Sequence, residues 1–300
     1  MRSILSFSCI AFLAGLVFSG CRISHSPYPE GHFHIMVISD IHISRDESKD
    51  RRLQSLISDI NTDRYPGLKG LIVTGDCVSK VYSDKKDGMH LESGNNLAKL
   101  VELLQPLSVP YFLVMGNHDY KIDSDKDSDA PFSRQEIDTM EAIWKKYTNF
   151  EPYYSVHHSG WKFIILNSMR GRYLDRAFDP SQIAWFENEL ATGQPILMFF
   201  HHPIETDHFN LWGKWADLIT PEKEPRFYEL CVMHKEQIKG IFVGHGHRWI
   251  EDTLYEQVPV FETESFGESD ETLFYLIGID TVEQKIQVSR SPVLTVREIP

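Results

Sequence analysis

The sequence predicts an α/β domain built on two stacked β-sheets with helices outside. Two observations lead there. From His34 onward, short apolar runs alternate with amphipathic stretches of helical period, the pattern of parallel strands joined by helices. From residue 249 the chain turns to β-rich runs with almost no helical period, and together with the strands of the middle these suggest a second and more antiparallel sheet. No linker separates the two patterns, so both sheets belong to one domain, residues 34–300.

The elements follow in order. Residues 32–38 (HFHIMVI) read as a strand that ends at a polar turn. Residues 51–63 carry Leu53, Leu56, Ile57 and Ile60 on one helical face. Residues 70–74 form a second buried strand, 97–104 a helix and 111–115 a third strand. The acidic, Ser-rich stretch 123–129 has no apolar period and lacks the Gly and final Glu of an EF-hand, so it is a solvated loop. Helical period returns over 132–147. Residues 153–156 and 161–166 are adjacent strands joined through His157, His158, Ser159 and Gly160. Pro180 opens a helix reaching residue 190, with Ile183, Ala184, Phe186 and Leu190 inward. Residues 196–200 and 241–243 are two more short buried strands.

With 300 residues, 42% of them hydrophobic, the chain can bury a substantial core. A formal charge of -13 excludes a nucleic-acid grip through a basic surface, but not a small phosphate-bearing substrate, because bound cations reverse the sign of an acidic pocket. At the start, Arg2 precedes an apolar run over 4–18 that is short for a bilayer span and ends in small residues, so residues 1–20 read as a signal peptide. Phe18-Ser19-Gly20-Cys21 is similar to the lipobox of bacterial lipoproteins, apart from Phe where Leu is usual. The expectation is export to a bacterial cell envelope, with a lipid-anchored Cys21 and residues 21–33 as a tether; an ordinary cleaved signal or an uncleaved anchor are the alternatives. Cys77 and Cys231 each lie beside an apolar segment and read as buried free thiols.

Polar clusters follow the strands directly: Asp40-Ile41-His42, Gly75-Asp76, Gly116-Asn117-His118-Asp119, His201-His202-Pro203 and Gly244-His245-Gly246-His247. Side chains just beyond the carboxyl ends of strands in an open α/β sheet converge on one crevice, so clusters distant in sequence can meet. Carboxylate oxygen, imidazole nitrogen and an amide oxygen form a ligand set for borderline divalent metals. Asp40 and His42, two apart on an extended segment, would share a side, and the glycines let the backbone turn sharply beside the ligands.

In this order the clusters resemble the D-x-H, G-D, G-N-H-D/E, H and G-H-x-H pattern of the calcineurin-like metallophosphoesterases, over roughly residues 35–247. That resemblance implies a four-layer α-β-β-α sandwich and hydrolysis of a small phosphate ester, mono- or diester. It implies two divalent or trivalent transition-metal ions, Mn, Fe or Zn. One ion would be held by Asp40, His42, Asp76 and His247. The other would be held by Asp76, Asn117, His201 and His245, with Asp76 bridging. His201 is preferred to His202 because it precedes x-Pro. A water between the ions would be the nucleophile. His118 would stabilise the transition state or protonate the leaving oxygen, with Asp119 orienting it. Ser79 stands where purple acid phosphatases place a tyrosine, so a tyrosinate-iron site is not expected. His157 and His158 read as a solvated turn, while His208, Trp212 and Trp215 form either a substrate-contacting or an ordinary packed loop. The competing reading is a non-catalytic scaffold with the same fold; every expected position is filled here, which counts against it.

Overall fold

The computed structural model describes residues 31–122, 132–208 and 217–291, with the backbone of 297 and 298. The expected signal peptide, Cys21 and most of the tether, the loop 123–129, Trp212 and Trp215 lie outside the described residues.

The first sheet is centred on β1 (His32–Ile38), which pairs in parallel with β2 (Leu68–Val73), itself parallel to β5 (Tyr111–Leu113). On its other side β1 runs antiparallel to β12 (Tyr275–Asp280), followed by β13 (Lys285–Arg290) and β14 (Arg297–Glu298). The second sheet has a parallel centre of β7 (Trp161–Ile165), β8 (Ile196–Phe199), β9 (Ile238–Val243) and β11 (Val258–Glu262), with β6 (Tyr154–His158) and β10 (Ile250–Leu254) antiparallel at its edges. A short hairpin, β3 (Lys85–Lys86) and β4 (Met89–His90), stands apart from both. Both sheets are mixed, as expected; the second joins strands of the middle and the tail but keeps a parallel centre, and the tail divides, β10 and β11 completing this sheet and β12 to β14 the other.

Three apolar layers hold this together. Phe33, Ile35 and Val37 of β1 face Leu197 and Phe199 of β8 and Phe242 of β9 between the sheets. The alternate residues Met36 and Ile38 turn the other way, onto α1 (Glu47–Asn61), α2 (Asn96–Leu104) and α3 (Arg134–Thr148). Ile196, Met198 and Phe200 pack under α4 (Pro180–Leu190) and α5 (Pro225–Met233). The result is the α-β-β-α sandwich.

Local chemistry sets the helix ends. Ser133 and Glu136 form a reciprocal capping box at the start of α3, and Asp179 caps α4 one residue ahead of Pro180. Helix α5 was not anticipated: it is nine residues long and buries Phe227, Tyr228, Leu230 and Cys231, too brief a run to declare a period. Two boundaries also move. Phe33 is buried between the sheets, so the folded unit starts before residue 34. His157 and His158 belong to β6, and the turn itself is Ser159-Gly160, both at positive φ.

Candidate metal centre

Strands β1, β2 and β5 of one sheet and β8 and β9 of the other end at the same edge, and each releases polar residues there. After β1 come Asp40 and His42, after β2 Asp76, after β5 Asn117 and His118. His201 follows β8, and His245 and His247 follow β9. The backbone departs from the extended expectation: Asp40, His42, Asp76, His245 and His247 all take left-handed φ, between 48° and 73°. Such conformations are uncommon outside glycine and persist where surrounding contacts over-determine them. The glycines serve close approach. A Cβ at Gly75 would overlap the His201 ring, and one at Gly116 would overlap the backbone and carboxylate of Asp76.

The side chains meet in two groups joined at Asp76. Asp76 Oδ1 lies 3.3 Å from His201 Nε2, while its Oδ2 lies 4.0 Å from His42 Nε2. On one side, His247 Nε2 is 3.2 Å from Asp40 Oδ1 and 3.4 Å from His42 Nε2. On the other, Asn117 Oδ1 lies 3.0 Å from both His201 Nε2 and His245 Nδ1. Donor atoms of Asp40, His42 and His247 fall within 4.8 Å of one another, and so do those of Asp76, His201 and His245. Asp40, His42, Asp76, Asn117 and His201 are all buried.

The distal nitrogens are held as well. His201 Nδ1 is 2.9 Å from the Thr74 carbonyl and His118 Nδ1 is 2.9 Å from the Ser79 carbonyl. His247 Nδ1 lies 2.9 Å from Glu268 Oε2, and His245 Nε2 lies 3.5 Å from Asp217 Oδ2. Carboxylates and carbonyls behind imidazoles fix the tautomer and turn the other nitrogen inward. Neither Asp217 nor Glu268 belongs to a motif, so only the fold reveals them.

Electrostatics show a crevice built to receive positive charge. Burial works against charge on His201, yet Asp76 and Asp40 outweigh it and raise the imidazole to about 9. Burial is likewise overcome at His247, which Asp40 and Glu268 raise to about 9. Burial dominates at His42 and pushes it down to about 4. The carboxyls of Asp40 and Asp76 are held low despite burial, because imidazoles surround them. Hard carboxylate and amide oxygens beside borderline nitrogens fit the transition-metal pair that the motif order implies.

His118 points its Nε2 into the crevice, 4.0 Å from Asp76 Oδ2, and its ring meets that of His42 edge-on at 4.6 Å. Its backbone N–H donates to Asp76 Oδ1 at 2.7 Å. Asp119 does not orient it, contrary to expectation. Its carboxylate accepts from the amides of Gly116, Cys77 and Val78 at 2.8, 3.3 and 3.0 Å, and so ties β5 to the turn carrying Asp76. Burial and the charge of Asp76 push the Asp119 carboxyl up. His202 is not in either group joined at Asp76; its Nδ1 lies 2.7 Å from Ser168 Oγ, while its ring packs on that of His245 at 4.6 Å and forms a further donor cluster with His245 and Asp217. His208 is exposed and rests on Asp252 at 2.8 Å. Cys77 and Cys231 are buried and unpaired.

Comparison with known proteins shows the family and the fold. A family model described as calcineurin-like phosphoesterase covers residues 33–249. The chain is 23% identical over 257 residues to a probable cyclic nucleotide phosphodiesterase of Psychrobacter arcticus, covering 79% of this chain and 81% of that protein. Among solved structures it resembles a dimetal phosphatase from Danio rerio, with a TM-score of 0.62 at 14% identity over 89% of this chain and 99% of that one. It also resembles GAP50, the anchor in the inner membrane complex of Plasmodium, with a TM-score of 0.54 at 9% identity over 90% of this chain and 89% of that one. With five motif clusters gathered at one edge of two stacked sheets and a family model spanning residues 33–249, the chain belongs to the calcineurin-like phosphoesterases and is a metallophosphoesterase, a metal-dependent hydrolase of phosphate esters.

Proposed function

We propose that the chain cleaves a small phosphate ester with two transition-metal ions, one held by Asp40, His42, Asp76 and His247 and the other by Asp76, Asn117, His201 and His245. The observation that carries this is the Asp76 carboxylate, whose two oxygens turn to different donor groups, Oδ1 to His201 at 3.3 Å and Oδ2 to His42 at 4.0 Å. Bound there, such ions supply an acidified water as nucleophile and neutralise charge on the phosphoryl oxygens. His118 presents Nε2 to the substrate, with Nδ1 fixed by the Ser79 carbonyl. Asp119 acts only by holding the turn that positions Asp76.

The relative named a probable cyclic nucleotide phosphodiesterase brings a cyclic nucleotide into the test as a diester. The fold shared with the Plasmodium anchor keeps the scaffold reading as the rival, against which the complete donor set stands. We also place the chain outside the cytoplasm, lipid-anchored at Cys21, on the strength of the apolar run and the Ser19-Gly20-Cys21 sequence.

The experiment is hydrolysis by the chain from Arg22 onward, stripped of metal and reloaded with Mn²⁺, Zn²⁺ or Fe²⁺, against aryl phosphate monoester, aryl diester and cyclic nucleotide. Asp76→Asn should remove metal binding and lower turnover by about a thousandfold or more, since it breaks both ion sites. His118→Ala should keep the metals and lose about a hundredfold in kcat. Tight binding of two ions with no turnover of any of these esters would favour the scaffold.

A further inference from the structure

The turn that delivers His118 also delivers a lysine. Residues 118–120 form one turn of 3₁₀ helix, where positions three apart eclipse, and this brings Lys121 over His118. Its Nζ lies 3.1 Å from His118 Nε2, the nitrogen facing the crevice. The other ring nitrogen is already occupied by the Ser79 carbonyl. With Nδ1 donating to that carbonyl, the ammonium is the donor to Nε2, and a substrate oxygen arriving at this nitrogen displaces the ammonium only to a position alongside itself. Lys121 is half-buried. Arg172, which reaches the crevice through Asp217 behind His245, is committed to that carboxylate at 3.2 Å.

We infer that Lys121 binds the substrate's phosphoryl group and biases the site towards phosphomonoesters, which are dianionic above neutral pH, over monoanionic diesters. The inference rests on the proposed hydrolytic reading and names its substrate class. An ammonium attracts a doubly charged group more strongly than a singly charged one, and a charge-assisted hydrogen bond at a partly buried position is among the stronger kinds. The lysine adds to what two metal ions do, because it approaches beside His118, whose ring meets that of His42, and brings a charge of the protein's own to that side of the crevice.

The test uses metal-loaded protein at pH 8. Lys121→Met should lower kcat/KM for the aryl monoester by about thirtyfold and for the aryl diester by less than about threefold, with Lys121→Arg retaining the monoester rate within about threefold. Inorganic phosphate, titrated calorimetrically into the same loaded proteins, should bind at least about tenfold more weakly to the Met variant and nearly normally to the Arg variant. Equal losses on both esters would mean that Lys121 merely holds the His118 turn, and no loss would mean that it does not meet substrate; either overturns the inference. If the loaded wild-type chain turns over neither ester, the hydrolytic reading fails by itself. The phosphate titration then decides on Lys121: weaker binding to the Met variant supports it, and unchanged binding overturns it.

Discussion

His201 and His247 are both raised to about 9 by the carboxylates they face, although burial opposes the charge. In the metal-free protein the two imidazoles therefore hold protons where the loaded protein would hold cations. A histidine whose folded pKa exceeds its unfolded one stabilises the fold fully below about 6.5, the unfolded value. That contribution is lost as pH rises through the folded value, because only there does the folded state give up the extra proton. Metal-free protein should accordingly lose thermal stability between about pH 6.5 and 9. Metal-loaded protein, whose ligand nitrogens are deprotonated by coordination, should not show that slope. Melting curves at half-unit pH steps, with and without Mn²⁺, check this; parallel slopes would show that the protons at His201 and His247 do not occupy the metal positions.

The element scale is where the sequence was most and least informative. Asp40, Asp76, Asn117, His201 and His247 were legible because each directly follows an apolar strand, and parallel strands must end together. The left-handed backbone at Asp40, His42, Asp76, His245 and His247 was not legible, since neither Asp nor His dictates it. Asp119 was misread for a related reason: neighbours in a tight turn diverge, so adjacency to His118 in sequence separated the two side chains. Its carboxylate went instead to the amides of Cys77 and Val78. Asp217 and Glu268 reach His245 and His247 only through tertiary folding, across 28 and 21 positions of sequence that no spacing rule connects. Helix α5 escaped because nine residues carry too few turns. The close contact of β2 and β5 at their ends gives a prediction at this scale. Gly116→Ala places a methyl on the Asp76 carboxylate and backbone. It should cost about 1–3 kcal/mol in denaturant unfolding and weaken metal binding as well. Unfolding at the wild-type midpoint with unchanged metal affinity would show that the turn gives way freely.

For the whole molecule, the metal centre is also the seam between the sheets: His201 and His245 come from one, Asp76 and Asn117 from the other. Lipidation at Cys21 is a prediction at this scale, because it decides where that seam works. Cys21→Ser should move the chain from the membrane to the soluble fraction of fractionated cells, and retention at the membrane would rule out the acyl anchor. The described chain enters at Gly31 and runs up β1, seven residues of strand, before it reaches Asp40. That strand alone spans about 23 Å, so the entry point and the metal crevice occupy opposite poles. A surface joined to the chain upstream of Gly31 would sit at the pole that lacks the chemistry. The hydrolase would then face outward like a lamp on a post, serving esters that arrive from solution and turned away from phosphates in the surface that carries it.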